Sequence, residues 1–483
     1  MLFNSPLFIF LFLPVALLGF RFTRAVSWRA AMAWLTLASL LFYAWWAPWR
    51  SWPILVSILF NYLVGRGLFR LGNCRRADLL LKLGLLGNLA FLGYFKYTNF
   101  FMHNLDSLAG LHWQMAEVML PLGISFFTFT QIAYLVDVRR AVAAEPSFLN
   151  YGLFVTFFPH LIAGPIIHHK EMMPQFQRPR SQPWHEDLAV GVSLFAIGLV
   201  KKVLIADAIA AHVAPVFAAA GHDPVPLTMA WEGALAYTAQ IYFDFAGYSD
   251  MAIGLARMFG IDLPINFNSP YKSADIIDFW RRWHITLSRF LRDYLYFPLG
   301  GNRQGPGRRY LNLLTVMVLG GLWHGANWTF ILWGGLHGLA LAINHQWRDR
   351  VGLRLPRLLA WLATMAVVIP GWVLFRAASL HDALRLLKGM AGLSGLGGLH
   401  GAPGMGSLGG LLLGAGLLVF AALTPNSQEI LRLQHPGLAP VPPGRPAWLT
   451  WQPSRLWAVL LALATVLVVL NLWKQTEFLY YEF

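Results

Sequence analysis

Charge is scarce in this chain: only 12% of its 483 residues are Asp, Glu, Lys or Arg, about half of what a soluble domain carries. That excludes an ordinary water-soluble enzyme. Acidic side chains are rarer than basic ones, 22 against 37, for a formal net charge of +15. The single cysteine, Cys74, excludes an internal disulfide and any cysteine-rich metal site. It sits in a basic loop and reads as a solvent-facing bystander. No P-loop, GxGxxG, HExxH or paired-carboxylate pattern stands out, and the serine of GISFF lacks the second glycine of a GxSxG elbow.

What the chain has instead is apolar length. Stretches near 7–20, 30–46, 52–68, 79–95, 188–205, 359–375, 411–423 and 456–472 approach or reach the roughly 20 residues that cross a bilayer. The fifth is the least clean, because Lys201 and Lys202 lie near its end. The fold class is all-α, a polytopic membrane protein with the lipid bilayer as its solvent. The first stretch has no basic start or small-residue cleavage site, so it is expected to be a retained helix. Arg21, Arg24 and Arg29 follow it, and Arg66, Arg70, Arg75, Arg76 and Lys82 follow the third. Both loops are therefore expected on the cytoplasmic side, with the N-terminus outside. The proline-rich stretch 424–455 carries Arg432, Arg445 and Arg455 and reads as a cytoplasmic loop, which delivers the tail 474–483 to the outside. Basic residues scattered between spans give no nucleic-acid surface; a secondary use is to attract a phosphate-bearing cytosolic donor.

The whole chain, 1–483, reads as one integral membrane domain, with a core over about 115–345 and C-terminal helices and an aromatic tail over 356–483. In the core the apolar runs are shorter and broken by Gly, Pro and polar residues, as in FFPHLIAGPI and AQIYFDFAGYSDMAIG. Irregular backbone at membrane depth is tolerated only where protein or a cavity covers it. The core is thus expected to surround something polar. No internal repeat is visible, which weighs against a transporter.

Two histidines carry the chemistry. His284 lies in DFWRRWHITLSRFLRDYLY, where Phe279, Trp283, Leu287, Phe290, Leu291 and Tyr294 fall on one face. The spacing predicts an amphipathic helix over 279–296, with Arg281, His284, Ser288 and Arg292 along another stripe. Cations there would disfavour protonation of the imidazole; the alternative is a surface helix whose histidine only bonds a neighbour. His324 interrupts membrane-type sequence in GGLWHGANW, where an ionisable group is costly and faces a partner, a cavity or a substrate path. The run 310–344 is too long for one straight span. Its break is expected from Gly320-Gly321 through Gly325-Ala326-Asn327, with Trp323 lining the site and Asn327 and Trp328 placed to orient the His324 ring. His337, 13 positions on, stands roughly 220° around a continuous helix. No metal site is expected, and His337 reads as a packed histidine. Of Asp244, Asp250, Asp275 and Asp293, which lie before and around His284, the first two sit in membrane-type sequence and read as ion-paired braces, each with a partner such as an Arg or a Tyr hydroxyl.

At these residues the sequence resembles the membrane-bound O-acyltransferases, and among them the bacterial alginate O-acetyltransferase group. The matching stretches are FFTFTQIAYLVDVRR, FFPHLIAGPI, LIADAIA, AYTAQIYFDFAGYSDMAIGLARMFG, DFWRRWHITLSRFLRDYLYFPLGGNR and LGGLWHGANWTFILWGGLHG, between 126 and 338. The resemblance implies a ring of tilted transmembrane helices around a central tunnel, with re-entrant or broken helices. It makes His324 the essential histidine and His284 the supporting one; Asn327, Trp323, Arg281 and Ser288 are the candidate lining residues read from the sequence around them. It implies no bound cofactor and a cytosolic donor, acetyl-CoA. The acetyl group would cross a bacterial inner membrane to a periplasmic SGNH-type acetyltransferase and finally an exopolysaccharide such as alginate. A general-base imidazole reachable from both faces would let only the small acyl group cross. The ending FLYYEF resembles the FxYxxF end of a small partner peptide in the D-alanyl-transferring branch, which makes Tyr480 a possible acyl carrier, flanked by Phe478 and Phe483. Against these expectations stand transfer of another acyl group (D-alanine to teichoic acid, or to peptidoglycan or lipid) and a transporter without chemistry.

Overall fold

The computed structural model describes all residues except 46–47, 111–115, 141–143, 436, 439–449, 473–477 and 480–483. Tyr480, Phe483 and Arg445 therefore lie outside the described residues. Among those described there is no β-strand, and helices account for nearly every element. Among the described residues, five helical stretches are long and apolar enough to cross a membrane: Phe8–Val26, Pro48–Leu71, Arg75–Ala109, Trp184–Ala220 and Arg357–Arg376. The other three apolar runs form the shorter helices Trp28–Ala44, Leu408–Leu423 and Arg455–Asn471.

The chain falls into two compact units. The first comprises 1–195, 251–264 and 436–439. Its opening hairpin turns at Ser27, whose extended backbone ends one helix and whose hydroxyl accepts from Ala30 N to start the next. Arg24 and Arg29 flank that turn, as the charge pattern predicts. Between Trp52–Leu71, Arg75–Leu92 and Ile124–Arg139 the glue is polar. Asn61 and Asn88 exchange amide bonds at 3.0 and 2.7 Å, and Gln131 donates to Ser57 Oγ at 2.7 Å. Such side-chain bonds fix helix neighbours where lipid supplies no hydrophobic drive.

The second unit comprises 196–250, 265–435 and 440–483 and carries both marked histidines. Its scaffold includes a tight helical hairpin, Gly305–His324 against Trp328–Gln346. A Cβ at Gly321 would stand 2.1 Å from the Phe330 carbonyl oxygen, and one at Gly334 would stand 2.2 Å from that of Met317. Only glycine permits this approach. The break at Gly325–Asn327 falls where the sequence predicts it; Gly325 is extended, and Asn327 caps the next helix by accepting from Thr329 N.

Candidate active site

The segment around His284 is not one helix. Asp275 caps Ile276–Arg282 by accepting from Ile277 N and Asp278 N; the chain then extends at Trp283 and restarts as Ile285–Leu291. His284 sits at the restart with φ 41° and ψ 54°, a left-handed conformation that non-glycine residues hold only when their surroundings impose it. The constraint is Asn266, 18 residues upstream. Its carbonyl takes Ile285 N at 2.9 Å, and its Oδ1 takes Thr286 Oγ1 at 2.9 Å and Thr286 N at 3.4 Å. This corrects the expected helix over 279–296. The periodicity is real in each half, but a distant side chain breaks the middle.

The break separates residues that a continuous helix would align. His284 is fully buried, whereas Arg281 and Arg292 are exposed, and Arg292 bonds Asp293 at the surface. The cations therefore do not set the charge state of His284. Burial does, by disfavouring the imidazolium. Ser288 donates to the Trp283 carbonyl at 3.4 Å instead of serving the histidine.

The Asn266 contact also fixes the tautomer. His284 Nδ1 lies 3.0 Å from Asn266 Oδ1, and that atom is an acceptor because it also faces the backbone N–H of Thr286. Nδ1 therefore carries the hydrogen, and Nε2 is the basic nitrogen.

His324 ends the first arm of the hairpin and is 3% exposed. Its ring meets Trp333 edge-on at 5.2 Å, Phe375 at 5.2 Å and Trp323 at 4.9 Å. The His284 ring is 6.2 Å away, and Trp323 stands 6.2 Å from His284 as well. The two histidines and Trp323 thus share one aromatic chamber, and substrate access requires side chains that cover the His324 ring to move. Asn327 serves elsewhere: besides its capping bond, its amide donates to the Ala378 carbonyl at 2.9 Å. His337 also meets Trp333, 5.0 Å from it, and is packed against Trp280 and Phe279.

Sequence reasoning missed the floor of the chamber. Phe245 stands edge-on to His284 at 4.8 Å, and Asn266 donates to Ser249 Oγ. Asp244 and Asp250 are ion-paired, but to Lys202 at 2.5 Å and Lys201 at 2.6 Å, not to arginine. The two lysines that made the fifth stretch look unclean are the partners of those aspartates. Asp275 pairs with Arg348. Phe478, near the chain end, is buried and stacked on Tyr248.

Two buried imidazoles in an aromatic chamber, 6.2 Å apart, can accept and return protons on a hydroxyl nucleophile. Comparison with known proteins places the chain among acyl-transferring membrane proteins. A family model described as the membrane-bound O-acyltransferase family matches residues 71–379. The peptidoglycan O-acetyltransferase of Helicobacter pylori is 47% identical over 427 residues, 81% of this chain and 80% of its own. A probable alginate O-acetylase AlgI of Pseudomonas aeruginosa is 44% identical over 397 residues, 81% and 75% of the two chains. A teichoic acid D-alanyltransferase of Bacillus subtilis is 28% identical over 278 residues, covering 54% and 69%.

Proposed function

From the premise that this chain belongs to the membrane-bound O-acyltransferase family and is an O-acyltransferase, we propose that it takes an acetyl group from cytosolic acetyl-CoA across the inner membrane for O-acetylation of an exopolysaccharide such as alginate. The observation that carries the reading is the pair of buried imidazoles 6.2 Å apart, one with its basic nitrogen assigned. His324 is the general base: it removes the proton of the incoming hydroxyl as its oxygen attacks the thioester carbonyl, then returns the proton to the departing thiolate. His284 supports it, and Trp323 walls the chamber.

The tetrahedral oxyanion needs a donor. Trp333 is 1% exposed, its ring abuts His324, and its indole N–H has no hydrogen-bond partner among the described residues. A buried donor of this kind is suited to charge that develops only in the transition state. The charge of acetyl-CoA keeps the donor in the cytosol, so only the acetyl group crosses. Tyr480 is the candidate acyl carrier at the chain end, and a periplasmic SGNH-type acetyltransferase is the partner that completes the transfer.

The experiment is mass spectrometry of the purified protein after exposure to labelled acetyl-CoA. A labelled C-terminal peptide is expected in the parent chain and absent from His324→Ala and Tyr480→Phe. Label retained in Tyr480→Phe removes the tail from the path; full turnover in folded His324→Ala removes the general base. A second acceptor, peptidoglycan, is favoured by the 47% identity to the Helicobacter protein. Assay of ester-linked acetate in exopolysaccharide and in peptidoglycan from a deletion strain decides between the two.

A further inference from the structure

The second unit contains a buried ion cluster with an unusual charge count. Lys202 Nζ lies 2.7 Å from Asp207 Oδ1 and 2.5 Å from Asp244 Oδ1, with side chains 3%, 5% and 1% exposed. One ammonium faces two carboxylates, so more acceptor capacity is buried than the lysine alone can offset, and further donors are needed. One comes from the far end of the chain: the backbone N–H of Leu479 donates to Asp244 Oδ2 at 3.2 Å.

A second contact lies beside the first. Phe478 is 2% exposed and stacks on Tyr248 with ring centroids 4.3 Å apart and planes 25° from parallel. Tyr248 is one helical turn beyond Asp244 on Leu227–Met258, so both side chains fall on the same stripe. Phe478 also meets Phe245 at 6.0 Å, and Phe245 is the ring that abuts His284. The helix can carry its aspartate close to Lys202 because Gly247 faces Gly198, where a Cβ would stand 2.8 Å from the carbonyl oxygen.

We infer that Asp244, held by Lys202, and Tyr248 form the receptor that fixes Phe478 and Leu479 one ring (Phe245) away from His284, and that both act as positioning residues. The carboxylate holds the backbone of the end, and the phenol ring holds its side chain. That the end is held stands on these contacts alone; that holding it matters for turnover rests on the acyl path proposed above.

Hydrogen exchange read by mass spectrometry on the full chain in nanodiscs tests this. In the parent protein the Leu479 amide exchanges slowly. In Tyr248→Leu, which leaves the ion cluster intact, it exchanges at least tenfold faster, while peptides of Gly305–His324 keep their protection. Tyr248→Phe keeps the stack and restores the slow exchange. Asp244→Asn gives the same local acceleration; should it loosen the whole chain, Tyr248→Leu decides. Unchanged exchange at Leu479 in Tyr248→Leu overturns the receptor. Steady-state turnover adds the positioning readout: kcat falls in Tyr248→Leu at unchanged KM for acetyl-CoA and recovers in Tyr248→Phe. Equal kcat in all three rejects the positioning role. Absence of acetyl label on the tail, with the exchange result intact, sinks the carrier reading and leaves the receptor standing.

Discussion

Asn266 Oδ1 lies 3.0 Å from His284 Nδ1, and this one acceptor governs both the backbone and the chemistry of the histidine. It takes the donors that restart the helix at Thr286, and it leaves Nε2 as the nitrogen with the lone pair. Asn266→Ala removes both functions. Turnover is expected to fall by about 10²-fold, the lower range for a positioned acid–base group, with KM for the proposed donor, acetyl-CoA, little changed. Normal turnover in a folded Asn266→Ala protein would show that the tautomer is irrelevant.

The two histidines are not equivalent. With His324 as the proposed base, His324→Ala should cost about 10²–10⁴-fold in turnover without loss of insertion, judged by detergent-solubilised yield and thermal melting. His284→Gln keeps polarity but not the ring that packs on Phe245. A smaller loss is expected there, accompanied by a lower melting temperature because the left-handed restart loses its Nδ1 anchor. The reverse order of effects would reassign the base to His284.

Trp333→Phe separates packing from hydrogen bonding. The ring contacts with His324, Phe375 and His337 survive, while the indole N–H is lost. A fall of about 10²–10³ in kcat, the usual cost of one oxyanion donor, is expected at unchanged stability. A change confined to KM would place the indole in substrate binding instead.

His337 gives the opposite expectation. Phe279 stacks parallel to it at 6.2 Å, and Trp280 and Trp333 close its edges, so its environment is an aromatic box. His337→Phe should keep turnover within a few-fold. A loss as large as that of His324→Ala would mark it as a third working imidazole.

Much of this was legible in the sequence because membrane helices announce themselves by composition. Every apolar run became a helix, and the glycines and Asn327 marked the hairpin break, since extended Gly325 and a capping side chain are local signals. What failed depended on partners distant in sequence. Nothing in DFWRRWHITLSRF reveals Asn266, so periodicity alone gave an unbroken helix and a shared stripe for Arg281, His284 and Ser288. The sequence predicts the Asp244 and Asp250 braces, but in it their lysines look like blemishes on a span. A positive charge near the end of an apolar run carries two meanings, topology or pairing, and only the fold distinguishes them. The sequence shows Phe478 as a flanking aromatic, while its seat on Tyr248 depends on a helix about 230 residues upstream.

The hairpin glycines offer the last prediction. Gly334 faces the Met317 carbonyl so closely that an added methyl would stand 2.2 Å from it, and neither backbone can yield locally. Gly334→Ala must therefore splay the two arms, at a cost of about 1–3 kcal/mol for an overpacked contact. His324 is the last residue of one arm and Trp333 precedes Gly334 on the other, so the same displacement opens the chamber between them. A misplacement of about 1 Å costs as much as 10²-fold in rate, so activity should fall further than stability. Gly335→Ala, where no atom of a neighbouring element lies within 4 Å of an added Cβ, is the control on an open side of the same helix. If both substitutions lower turnover equally, the close approach of the arms is not what sets the geometry at His324.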